Sequence, residues 1–238
     1  IKNTIRSHIY DGAALTKFIF WIKNNFKKNK ISEISAQEKL LEFRKKNKSF
    51  NDLSFPTISG SGPNSAIIHY KADKKSNRLL KKGDVYLVDS GGQYSFGTTD
   101  VTRTLSLDVQ SNKIKEIYTR VLKGHIAVAS YKLNKNSCGD KIDQSARKFL
   151  KDINLDYPHG TGHGVGYFSN VHEGPQAISR GNKVKFKEGM ITSNEPGYYK
   201  KNHFGVRIEN LVYVKKTNNR LKFEDLTLVP IDKLLIKE

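Results

Sequence analysis

The stretch V88-D-S-G-G-Q-Y-S-F-G-T-T-D-V-T-R-T104 sets two acids, Asp89 and Asp100, inside sequence rich in Val, Tyr and Thr. β-Branched and aromatic residues favour strands. V85-Y-L-V-D89 and T98-T-D-V-T-R-T-L105 therefore read as two strands joined by a Gly-containing loop, an antiparallel hairpin. Asp89 ends an apolar run and Asp100 lies on the neighbouring strand, 100 − 89 = 11 positions on, so both carboxylates can reach one place. The chain has 42 basic and 23 acidic residues. Two of those few acids in a strand pattern need a reason, because burying an unpaired carboxylate is very costly.

Two further acids repeat the pattern downstream. Glu195 ends M190-I-T-S-N-E195 beside Pro196 and Gly197, and Glu209 interrupts the β-rich run F204-G-V-R-I-E-N-L-V-Y-V214. Between them and the hairpin lies H159-G-T-G-H-G-V-G166. Its glycines fall at every second position, which fits neither dinucleotide-binding nor P-loop spacing. They let the backbone approach closely and present His163 as a ligand. Singly, each residue has an ordinary explanation, an acid on a solvent face or a hydrogen-bonded structural histidine. As a set, four carboxylates bring a charge that two divalent cations would cancel, and coordination makes their burial tolerable. An oxygen-rich set with one imidazole suits a hard or borderline ion, Mn2+ first, with Zn2+ or Co2+ as alternatives. Two ions sharing a water lower its pKa, leave a nucleophilic hydroxide and polarise a carbonyl oxygen, which is the chemistry of hydrolysis. Other hydrolytic schemes lack their signatures: there is no H-E-x-x-H, no G-x-S-x-G and no Cys placed beside a His. Cys138, in N136-S-C-G-D140, reads as a small, semi-buried residue.

Outward from these motifs, residues 3 to 27 read as an amphipathic helix, with Ile5, Ile9 and Ala13, then Ala14, Phe18, Ile22 and Phe26, on its apolar face. Ser35-Ala-Gln-Glu38 fits a capping box opening a second helix. A66-I-I-H-Y70, after the turn-forming S59-G-S-G-P-N-S65, reads as a short strand carrying His69. Two helical patterns follow, one through Ile114, Ile117, Val121 and Val128 and one through Ile142, Ala146, Phe149 and Ile153. Asp225-Leu-Thr-Leu-Val-Pro230 reads as a closing strand. Helices grouped between sets of strands indicate an α+β fold, and the order helices, strands, helices, strands hints at two similar halves. A length of 238 residues suits one large domain.

The formal charge of +19 is spread along the chain. That reads as a solvated basic surface, with no nucleic-acid partner expected. One cysteine excludes an internal disulfide and fits a reducing compartment. No run of eighteen apolar residues and no signal-peptide pattern is present, so no membrane association and a cytoplasmic setting are expected. The chain opens on Ile1 and its one Met is Met190, which suggests a piece of a longer protein.

The ordered series D52-L-S-F-P-T-I-S59, G62-P-N-S-A-I-I-H-Y70, V88-D-S-G-G-Q-Y94, G97-T-T-D-V-T-R-T104, H159-G-T-G-H-G-V-G166, Val171-His-Glu-Gly-Pro175, E195-P-G-Y-Y199 and G205-V-R-I-E-N210 resembles the pita-bread metallopeptidases. The resemblance is greatest to the cytosolic-type Xaa-Pro aminopeptidases, the aminopeptidase P family. It implies a pita-bread (creatinase/aminopeptidase) fold, a curved and mostly antiparallel sheet with flanking helices and pseudo-twofold halves, formed by residues 1–238 as a single catalytic domain. It implies two divalent ions, usually manganese, with Asp89 on one, His163 and Glu195 on the other, and Asp100 and Glu209 bridging. Glu195 would also take the proton of the bridging water. His69 and His172 would bind substrate and stabilise the tetrahedral intermediate, His159 would help shape the proline pocket, and Arg207 would brace the carboxylates. The substrate implied is a peptide with proline in second position, losing its N-terminal residue. An Xaa-Pro dipeptidase, a methionine aminopeptidase and a non-catalytic pita-bread binding module are the alternatives. The family enzymes carry N-terminal domains, and the cytosolic type a C-terminal segment, that are missing here; the full-length parent is expected to be a homodimer. His125, His203 and His8 take no catalytic role in this reading: His125 and His8 read as structural and His203 as a surface residue.

Overall fold

A computed structural model describes residues 1–218 and 220–238. Two helices open the chain, α1 (Lys2–Asn25) and α2 (Glu33–Lys45). They are followed by strands β1 (Phe50–Leu53), β2 (Ile58–Ser61), β3 (Val85–Ser90), β4 (Gly92–Tyr94), β5 (Gly97–Thr98) and β6 (Val101–Ser106). The second half repeats the order with α3 (Asn112–Ala129) and α4 (Gly139–Lys151), then β7 (Gly162–His163), β8 (Ala177–Ile178), β9 (Ile191–Asn194), β10 (Gly197–Lys200), β11 (Phe204–Arg207), β12 (Asn210–Thr217) and β13 (Arg220–Asp225).

Each half buries its helices against an antiparallel sheet. In the first, Leu15, Phe18 and Ile22 of α1 and Leu40 of α2 pack on Tyr86, Val88, Val101 and Leu105 of the β2-β3-β6 sheet. In the second, Ile142 and Ala146 of α4 and Val128 of α3 pack on Val212, Val214 and Phe223 of the β13-β12-β9 sheet. Each of the larger aliphatic or aromatic side chains contributes roughly 1.5–3 kcal/mol on full burial.

The sheets meet along a polar seam. Glu209 N–H donates to the Thr102 carbonyl (3.1 Å), and Arg207 N–H donates to Thr104 Oγ1 (3.0 Å). The buried Arg103 guanidinium crosses the seam to the Glu209 carbonyl (2.5 Å), Asn210 Oδ1 (2.8 Å) and the Val229 carbonyl (2.8 Å). Since Asp89 pairs with Thr102 across β3 and β6, this seam carries the ends of both sheets to one place.

Four local expectations change. The α1 face is rotated: Ile9 and Ala13 are exposed, while Thr4, Ser7, His8 and Asp11 are buried, because Asp11 turns inward to a buried arginine, Arg44. The α2 cap is Ser32, three residues earlier than read; Ser35 closes the capping box with it and Glu38 takes no part. Residues 66–70 form no strand. Pro63 opens a 3-10 turn over Gly62–Ala66, and Ile67 is 53% exposed. Residues 226–230 also lie outside the sheet, since Arg103 bonds the Val229 and Pro230 carbonyls that a ladder would use. The strand there is β13, whose alternating charges hid it. Among the described residues, no helix is long and apolar enough to cross a membrane.

Candidate metal centre

Asp89 is the last residue but one of β3, Asp100 immediately precedes β6, His163 lies on β7, Glu195 follows β9 and Glu209 sits between β11 and β12. Five sequence-distant residues therefore arrive from both sheets. Donor atoms of Asp89, Asp100 and Glu209 lie within 4.8 Å of one another, as do those of His163, Glu195 and Glu209. Asp89, Asp100 and Glu209 are buried, and Glu195 and His163 partly so.

His163 reaches the cluster because β7 is narrow. A Cβ on Gly162 would overlap the Ser193 carbonyl oxygen of β9, so only glycine allows the two strands to lie this close. His163 Nδ1 lies 3.0 Å from the Gly164 carbonyl. A carbonyl only accepts, so Nδ1 carries the hydrogen. The Nε2 lone pair then faces Asp100 Oδ2 at 3.4 Å and Glu195 Oε1 at 3.3 Å. Acceptor facing acceptor is repulsive unless a proton or a metal cation lies between them.

The carboxylates are held by one-sided contacts. Arg207 Nη2 donates to Asp89 Oδ2 (2.6 Å), Thr102 Oγ1 to Glu209 Oε2 (2.7 Å) and Ser193 Oγ to Glu195 Oε1 (3.0 Å). Asp89 Oδ1, though buried, has no partner. Burial, reinforced by neighbouring carboxylates, holds Asp100 and Glu209 well above the ordinary carboxylate range. Burial pulls the Arg207 pKa down, but Tyr199, Asp89 and Glu195 around it leave it raised. An orphaned oxygen, a lone pair aimed at two carboxylates and four acids against one guanidinium all fit a pair of divalent cations.

A cavity of about 460 Å³ opens over this cluster. His69, His159 and His172 line it. The His172 ring centroid is 3.9 Å from that of His163, and burial first, then the neighbouring His163 imidazole, lower its pKa. Burial likewise lowers His159. Its Nδ1–H donates to the Gly160 carbonyl (2.7 Å), so Nε2 accepts from Tyr199 O–H (2.8 Å), whose oxygen accepts from Arg207 Nη1–H (2.8 Å). Burial pushes the Tyr199 hydroxyl up to about 12. Tyr199 thus links His159 to the arginine that holds Asp89. Sequence reasoning left it unassigned within E195-P-G-Y-Y199, where nothing marks one tyrosine above its neighbour.

The three other histidines stand apart. His125 is buried on α3, bonded to the Asn194 carbonyl (3.1 Å), and burial takes its pKa to about 3. His8 is buried against the Thr4 carbonyl and His203 is exposed in a turn.

Residues 2–216 match the model of metallopeptidase family M24. The chain is 46% identical over 244 residues to a probable Xaa-Pro aminopeptidase P of Paracoccidioides brasiliensis, covering 96% of this chain and 39% of that protein. It is 47% identical over 247 residues to aminopeptidase P2 of Arabidopsis thaliana, covering 99% and 35%. Among solved structures it superposes with a TM-score of 0.95 on the X-prolyl aminopeptidase of Caenorhabditis elegans, described as a cytosolic enzyme with a di-nuclear active site, at 36% identity over 99% of this chain and 40% of that one. The prolidase of Pyrococcus furiosus superposes at 0.83 with 27% identity over 97% and 65%. The chain thus spans 35–40% of the length of these three aminopeptidases.

Proposed function

This chain belongs to metallopeptidase family M24 and has its pita-bread fold, and from that premise we propose that it is the catalytic part of an Xaa-Pro aminopeptidase. The substrate is a peptide with proline in second position, from which the N-terminal residue is released. The observation that carries this reading is the meeting of Asp89, Asp100, His163, Glu195 and Glu209 under a cavity, with Asp89 Oδ1 unpartnered and His163 Nε2 turned on two carboxylates.

In this proposal Asp89, Asp100, His163, Glu195 and Glu209 would hold two divalent ions between them, with manganese the preferred metal. When bound, such ions lower the pKa of a water and polarise a carbonyl oxygen. Glu195, fixed by Ser193, takes the proton of the attacking water. Neutral His172, at the cavity wall with His69, offers an N–H to the oxygen on which charge develops. His159, anchored at both ring nitrogens by Gly160 and Tyr199, presents a fixed ring face for the proline. The Xaa-Pro bond is a tertiary amide without an N–H, so a shaped apolar pocket recognises it where a hydrogen bond from the amide nitrogen cannot. Arg207 braces Asp89 and Tyr199 together.

The full-length parent is proposed to act in the cytoplasm as a homodimer. Hydrolysis of an Xaa-Pro-Xaa peptide by the manganese-loaded full-length protein, compared with an Xaa-Pro dipeptide and a Met-Ala peptide, tests the proposal. Cleavage of the longer proline peptide is expected. Cleavage of the dipeptide alone would make it a prolidase, and no cleavage would contradict the enzymatic reading.

A further inference from the structure

Glu33 lies in the first turn of α2, where an acid ordinarily faces water and complements the helix dipole. Here it turns inward and is 0% exposed. Oε1 accepts from Ser61 N–H (2.7 Å), and Oε2 accepts from Tyr70 O–H (2.7 Å) and Arg78 N–H (2.9 Å). The Asn64 amide bonds the same carboxylate at 3.0–3.1 Å. The backbone of Glu33 joins in: its N–H donates to the Arg78 carbonyl (3.0 Å), and Ser59 Oγ donates to its carbonyl (2.7 Å).

These contacts share one target. Ser61, Asn64, Tyr70 and Arg78 frame the irregular segment 62–78, which has no strand of its own to stiffen it and which carries His69 to the cavity. Tyr70, the residue after His69, is 5% exposed, with its ring among Ile58 and Leu87 and its hydroxyl on Glu33. Ile67 N–H donates to the Asn64 carbonyl and Tyr70 N–H to the Ile67 carbonyl, so the turn holding His69 is closed by two residues that Glu33 grips directly. Hydrogen bonds to a buried charge are about twice as strong as neutral ones, and a misplacement near 1 Å can cost about 10²-fold in rate.

We infer that Glu33 is a positioning residue, a buried carboxylate that fixes the 62–78 segment and thereby holds His69 over the reacting carbonyl. The role given to His69 rests on the aminopeptidase reading above; the hold on the segment does not. The test combines hydrogen exchange with kinetics on the manganese-loaded full-length protein. Glu33→Gln is expected to speed amide exchange across 62–78 with α3 unchanged. It should lower kcat on an Xaa-Pro-Xaa peptide on the order of 10–100-fold, with KM and metal content near wild type. In a His69→Ala background the same change should cost less than about twofold, because coupled residues are non-additive. Tyr70→Phe, which removes one donor and keeps the ring, should give the same pattern at smaller amplitude if Glu33→Gln fails to fold. Unchanged exchange across 62–78, or equal losses in both backgrounds, would overturn the inference. If the wild-type protein cleaves nothing, the aminopeptidase reading and the His69 consequence fail together, and the exchange data still decide whether Glu33 holds the segment.

Discussion

Two buried polar clusters lie on opposite faces of the same strand. Ser90 and Asp89 are adjacent on β3, so their side chains point to opposite sides. Behind the strand, Ser90 joins a charge-matched network: Arg44 Nε and Nη2 donate to the two oxygens of Asp11 (2.7 and 3.1 Å), Nη2 also to Ser90 Oγ (3.1 Å), and Tyr94 O–H to Asp11 Oδ1 (2.9 Å), with Arg44 Nη1 left unpartnered. One acid meets one guanidinium there. In front, Asp89 joins Asp100, Glu195 and Glu209, four acids beside one guanidinium, Arg207, which bonds Asp89. The rear cluster is electrically complete and rigidifies the fold. The front cluster has more acids than its one guanidinium can balance, an arrangement proteins keep where a cation will bind and at some cost in stability.

That contrast can be broken from either side. On the proposed assignment of Asp100 as a metal ligand, Asp100→Asn should lower kcat/KM by at least about 10³-fold, since losing such a ligand removes several kcal/mol of transition-state stabilisation. The same variant should leave the metal-free protein as stable as wild type or more so, measured by denaturant midpoint. Asp11→Asn should do the reverse, destabilising the fold by on the order of 3 kcal/mol while metal stoichiometry stays unchanged. Arg207→Lys removes the bidentate reach to Asp89 and Tyr199. It is expected to weaken metal affinity about 10–100-fold, the usual cost of a lost outer partner, as read by competition with a chelator.

The smallest and sharpest effect is on pH. Asp100 and Glu209 have raised pKa values in the metal-free fold. Their contribution to stability is therefore complete below the unfolded carboxylate range of about 4 and is lost as pH rises through the folded values. Metal-free protein should lose stability over that window. Metal-loaded protein should gain it, because ligands bind deprotonated. Parallel denaturation curves in the two forms would contradict the assignment.

Much of the front cluster was legible because strand patterns expose misplaced acids. Asp89 and Glu209 interrupt runs of Val, Ile and Tyr, and the alternate glycines flag His163. Glu33 was not legible. I31-S-E-I-S-A-Q-E38 offers two serines spaced to cap a helix, and a first-turn acid looks the same whether it faces water or grips a distant loop. Residues 66–70 misled for a related reason: Ile67, Ile68 and Tyr70 have strand-type side chains, but Tyr70 is drawn to Glu33, a contact 37 positions away that local propensity does not contain. Arg103 similarly replaces a strand ladder at 226–230 with side-chain bonds from the other half of the chain.

The account is tested most directly by calorimetric titration of the metal-free protein with manganese in two buffers of different ionisation enthalpy. Two ions per chain, taken up with net release of protons from Asp100 and Glu209, are predicted. Binding of one ion or none, without proton release, would contradict it.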